Sequence, residues 1–145
     1  MEFIRIFIEG IVATTVMTTF SYVLANITKK EFREPELLND LLSRSNLYRL
    51  KLSKKSAAGW ILHYLIGWMF VILIEAAWLT ELVEASVLSG ALLGFLGGVI
   101  GIFGWKILFW INNNPPKISW SDYYIQLVIA HVLFGISTAI IYLLW

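Results

Sequence analysis

VLSGALLGFLGGVIGIFGWKILFWI, residues Val87–Ile111, is the stretch that decides the fold. It holds one charged residue, Lys106, and no proline. It exceeds the ~20 residues needed to cross a ~30 Å hydrocarbon core. Inside lipid every backbone N–H and C=O must be paired within the structure, so a run of this kind is a helix. Three more runs share its character: Ile6–Ile27, Trp60–Thr80 and Tyr124–Trp145. With 59% hydrophobic residues and a mean hydropathy of +0.75, the chain has too little polar surface for a water-soluble fold. The prediction is an all-α four-helix transmembrane bundle, one integral membrane domain over residues 1–145, with a connecting loop at 28–59.

Charge sets the orientation. Eight of the eleven basic residues lie between Lys29 and Lys55, against four acids. The short connection Glu81–Ser86 has Glu81 and Glu84 and no base. Basic residues in short loops stay cytoplasmic, so the long loop is expected inside and both termini outside. Lys117 adds to the inner side, and Lys106 is placed to snorkel toward it. The start Met1-Glu-Phe-Ile-Arg5 lacks the basic region of a signal peptide, so the first span is expected to be retained. Trp60, Trp78, Trp105, Trp110, Trp120 and Trp145 fall near span ends, where aromatic belts form.

The long loop carries its own element. Glu34-Pro35-Glu36 has proline and acid where a helix begins, and Leu37, Leu38, Leu41 and Leu42 then share a face. A short amphipathic helix lying on the inner membrane surface is expected. Asn112-Asn-Asn-Pro115-Pro116 stops the third span, since neither proline can continue a helix.

The two histidines both sit in the motif His-x-x-x-Gly: His63 with Gly67, and His131 with Gly135. Each is on a span ending in tryptophan, 15 residues before Trp78 and 14 before Trp145. The preceding spans also correspond. Gly90, Gly94, Gly97, Gly101 and Gly104 recur at steps of four and three, and Gly10, Thr14, Met17 and Ser21 follow the same steps. This reads as a parallel 2+2 internal repeat about an axis along the membrane normal.

Each feature has a plain reading and a functional one. The glycine stripe fits close helix packing, within the bundle or across a homodimer or larger membrane complex, because small residues let backbones approach in lipid. It also fits a flat groove for a planar ligand or a lipid tail. The histidines fit interhelical hydrogen bonds, or the ligation of one haem b iron from both faces, with Gly67 and Gly135 making room. Such an arrangement looks like the bundle of b-type cytochromes, which carry paired histidines on each helix where this chain has one. Glu9 and Glu75 fit snorkelling carboxylates, or an ion or proton site if they face inward together. The hydroxyls of Thr14, Thr15, Thr18, Thr19 and Ser21 fit bonds to the carbonyl one turn back.

Several classes drop out. The chain has no cysteine, which excludes disulfides and thiolate-ligated metals. No metal site is assigned, since no acid lies at the depth of the histidines to complete a shell. No catalytic residue is assigned, because no nucleophile-base-acid order, phosphate loop or paired-acid pattern is present. The basic loop answers to orientation and anionic lipid rather than to nucleic acid.

The run Gly10-Ile-Val-Ala-Thr-Thr-Val-Met-Thr-Thr-Phe-Ser21, the loop Arg33-Glu-Pro-Glu-Leu-Leu, Gly104-Trp-Lys-Ile107 and Asn114-Pro-Pro-Lys117 together resemble small four-span bacterial membrane proteins of unknown function. The resemblance implies the bacterial inner membrane and implies no activity. The leading expectation is an accessory subunit or small binding scaffold in the lipid bilayer. The alternatives are a one-haem electron carrier on His63 and His131, and an ion or proton transport element on Glu9 and Glu75.

Overall fold

The computed structural model describes residues 2–44 and 52–145. Arg49 and Lys51 of the basic segment lie outside the described residues. The chain order is α1 (Glu2–Thr28), α2 (Glu34–Arg44), α3 (Ala57–Leu79), α4 (Val87–Trp110) and α5 (Trp120–Leu144). No strand occurs among the described residues. α1, α3, α4 and α5 are each long and apolar enough to cross a membrane. All four coincide with the expected spans. Three of them start three or four residues earlier, at Glu2, Ala57 and Trp120.

The helix ends have local causes. Ser56 caps α3 by accepting from the Ala58 amide, and Ser86 and Ser89 form a reciprocal capping box on α4. α1 and α3 end where Lys29 and Glu81 take left-handed backbone angles, with φ of 60° and 56°. After α3 the Leu82 amide reaches back to the Ala77 carbonyl at 3.0 Å, closing the last turn.

α1 packs against α3 and α5, and α4 packs along α5. Close approaches are made at glycines. A Cβ built on Gly67 would stand 2.0 Å from Thr14 Oγ1, and one on Gly135 would stand 2.0 Å from the Gly90 carbonyl oxygen. α3 and α4 scarcely touch, so one seam of the bundle is left open.

The structure adds detail to two expectations. α2 turns its apolar face onto the bundle. Leu37, Leu38 and Leu41 are buried with Phe32, Trp105, Phe109, Tyr123 and Leu127. Asparagines hold it there by completing backbone bonds. Asn39 Nδ2 donates to the Lys54 and Ser56 carbonyls, and Asn39 Oδ1 accepts from the Gly59 amide. Asn112 Nδ2 donates to the Leu41 carbonyl at 2.8 Å.

The glycine stripe also divides. Gly90 and Gly94 pack on the α5 backbone, joined by Gly98, which is off the stripe. Gly97 makes an ordinary contact with Phe70. Gly101 faces the His131 ring, and Gly104 meets nothing within 4 Å. The physical reason is a wedge. Trp105 against Tyr123 (centroids 5.5 Å apart) and Phe109 against Trp120 (4.4 Å) spread α4 from α5 at the α2 end.

Candidate functional site

The open seam leads to a cavity of about 240 Å³. Its far side comes from α1 and α5, including Met17, Leu127 and Phe134, and α2 closes one end through Leu38 and Glu34. Gly101 and Gly104 belong to its α4 wall, where missing side chains become volume. Met69, Ile100 and Leu108 also line it and are largely exposed at its mouth. The lining is apolar except at His63, His131 and Glu34 and at the indole N–H of Trp105.

His63 is placed by the α1–α3 crossing. Gly67, one turn on, admits Thr14, and this brings Thr18 Oγ1 to 2.9 Å from His63 Nε2. The Thr18 hydroxyl donates to the Thr14 carbonyl at 2.6 Å, so its oxygen accepts from His63 Nε2–H. Nδ1 is then an unprotonated acceptor, with no partner among the described residues. His131 is placed by the α4–α5 crossing, where Gly94 lies on its carbonyl oxygen. Its Nδ1–H donates to the Leu127 carbonyl at 2.9 Å, and the Phe70 ring stands edge-on to it. Its Nε2 is therefore the acceptor, and it faces Gly101.

Glu34 opens α2 and is 1% exposed. Its Oε1 accepts from Ser21 Oγ at 2.9 Å and from Gln126 Nε2 at 3.0 Å. One carboxyl thus joins α1, α2 and α5. Its Oε2 is buried with no partner. Burial pushes the Glu34 carboxyl up to about 7, against the opposing pull of the Gln126, backbone and Ser21 hydrogen bonds.

The structure brings both histidines to one cavity, and each ring bonds its own protein partner. As placed, His63 could reach an iron only through Nδ1. No group of three or more His, Asp or Glu side chains able to hold a metal ion occurs among the described residues.

Glu9 and Glu75 also meet, far along the bundle from this cavity. Arg5 joins them: its Nε and Nη2 hold both Glu75 oxygens at 2.9 and 3.0 Å. Glu9 Oε1 lies 3.7 Å from Arg5 Nε, and the guanidinium stacks 4.4 Å over the Tyr142 ring. The two acids do not snorkel. They form a clamp across α1, α3 and α5, and both are buried. The hydroxyls of α1 divide by face: Thr14, Thr18 and Ser21 are buried, while Thr15 and Thr19 are exposed. Thr15 and Thr18 bond the carbonyl one turn back, as expected.

Sequence reasoning passed over Arg5, Glu34, Asn39 and Gln126. Arg5 stands four residues before Glu9, the spacing of a helical ion pair, and Gln126 is a lone amide in an apolar span. Those were the available signals. No family model, curated protein or solved structure matches the chain.

Proposed function

We propose that this protein is a small membrane-embedded binding scaffold that takes an apolar molecule from the bilayer through the α3/α4 seam. The observation that carries the reading is the cavity behind that seam, apolar for most of its lining and polar at one end. Its volume of about 240 Å³ exceeds the ~150 Å³ of an apolar protein cavity that accepts benzene. The rest of a longer chain would trail between the two helices into lipid.

The scaffold belongs to the bacterial inner membrane in this reading, with α2 on the cytoplasmic side and both termini outside. The 2+2 repeat is part of it. Thr14 on Gly67 and Gly94 on Gly135 are contacts at corresponding positions of the two halves, which supports the correspondence. Under that symmetry the closed α1/α5 seam and the open α3/α4 seam are counterparts. The site lies where the halves differ.

The test is photolabelling in phosphatidylcholine nanodiscs with an alkyl diazirine. Saturable labelling of α3 and α4 peptides at the seam is expected, and Gly104→Leu should suppress it by filling space that is open in the native protein. Unsaturable labelling spread over all lipid-facing positions would refute the proposal.

A further inference from the structure

The polar end of the cavity has a definite hydrogen-bonding sign, and it narrows the ligand. Three polar side chains reach the cavity, and the protein has already engaged their donors. The N–H of His63 goes to Thr18, and the N–H of His131 goes to the Leu127 carbonyl. Gln126 and Ser21 turn their protons to Glu34 Oε1, on the side away from the free carboxyl oxygen. What remains is His63 Nδ1, His131 Nε2 and Glu34 Oε2: the two ring nitrogens accept, and the carboxyl oxygen accepts once the group is ionised, above about 7. The indole N–H of Trp105 is the one donor on the lining without a protein partner among the described residues.

Glu34 Oε2 makes the strongest case. It is buried, unpartnered, and belongs to a side chain 1% exposed that lines the cavity. A buried oxygen of this kind is costly to leave unpaired, and a ligand that donates to it removes that cost. An ionised or hydrogen-bonded carboxyl rewards a donor more than a neutral acceptor does.

Resting on the binding-scaffold reading above, we infer that the cavity selects an apolar molecule with a hydroxyl head, such as a long-chain or isoprenoid alcohol or a phenol, whose O–H donates to Glu34 Oε2 beside the two imidazole acceptors. A head that only accepts, such as an ether or ketone, finds at most the Trp105 N–H. A bare hydrocarbon leaves all three acceptors unpaired. The glycine-lined wall takes the chain, and the polar end reads the head.

Three radiolabelled probes with one apolar body separate these terms: 1-dodecanol, its methyl ether, and dodecane. Binding is counted by scintillation proximity in phosphatidylcholine nanodiscs, whose head groups carry no competing donor. The assay runs at about pH 8.5, where Glu34, at about 7, is ionised and accepts. The alcohol should bind at least tenfold more tightly than the ether, with ether and hydrocarbon close together. Glu34→Gln should bring the alcohol-over-ether preference below about threefold. Alcohol and ether binding saturably with equal affinity would overturn the head-group assignment and leave the scaffold reading standing. If none of the three binds saturably, both fall. The wild-type comparison decides the matter even where Glu34→Gln fails to fold.

Discussion

Two glycines that look alike in the sequence should respond oppositely to one added methyl group. Gly135 and Gly104 both lie in apolar spans and both belong to small-residue patterns. A Cβ at position 135 would sit 2.0 Å from the Gly90 carbonyl oxygen and 2.9 Å from Gly94 Cα. Ordinary contact begins at 3.4 Å. Both obstacles are backbone, so no side chain can swing aside, and α4 and α5 must part by more than ~1 Å. Overpacking of this kind costs ~1–3 kcal/mol, and separation also forfeits the close backbone packing that holds helices together in lipid. At Gly104 nothing lies within 4 Å. Ala there gains only helix propensity, up to ~1 kcal/mol. That gain is common to both variants, so the difference between Gly135→Ala and Gly104→Ala should be ~1–3 kcal/mol or more. Reversible unfolding in mixed micelles, titrated with sodium dodecyl sulfate and followed by circular dichroism, measures it. Gly94→Ala should group with Gly135→Ala, since its Cβ would stand 2.3 Å from the His131 carbonyl oxygen. If Gly104→Ala proves as destabilising as Gly135→Ala, the division of the stripe into a packed part and a cavity wall is wrong.

The same titration tests other parts of the structure. Arg5→Ala should cost ~3–5 kcal/mol, because it strands the buried Glu75 and Glu9 carboxyls, and a cost under ~1 kcal/mol would show that the clamp is slack. Glu34 binds its proton more tightly in the folded state, at about 7 against 4.5, so its contribution is fully present below 4.5 and lost as pH rises through 7. Stability should fall by on the order of 3 kcal/mol across that window, and Glu34→Gln should flatten the profile. A C-terminal tag should be reachable from outside in spheroplasts, and shielding of the tag would reverse the orientation. The purified protein should show no haem Soret band, since Thr18 engages His63 Nε2; a band abolished by His131→Ala would restore the paired-ligand reading.

The four spans, the helix in the long loop and the stop at Asn112–Pro116 were legible in the chain, because each signal is local. Apolar length, a proline, a cluster of leucines and a count of bases act on a segment wherever its neighbours lie. The inward turn of His63 and His131 was legible for a related reason: an imidazole in a membrane helix has few places to go. Tertiary structure alone decided the rest. Arg5 meets Glu75 across 70 positions of sequence, and Gln126 meets Glu34 across 92. Glu34 reads locally as the first acid of a surface helix, and it becomes a buried tie only because Asn39, Asn112 and the leucines of α2 pull that helix onto the bundle. The glycine periodicity marks one face of α4, but a period cannot say where a neighbouring helix diverges. Aromatic wedges at Trp105 and Phe109 set that point, and so determine which glycines become contact and which become cavity.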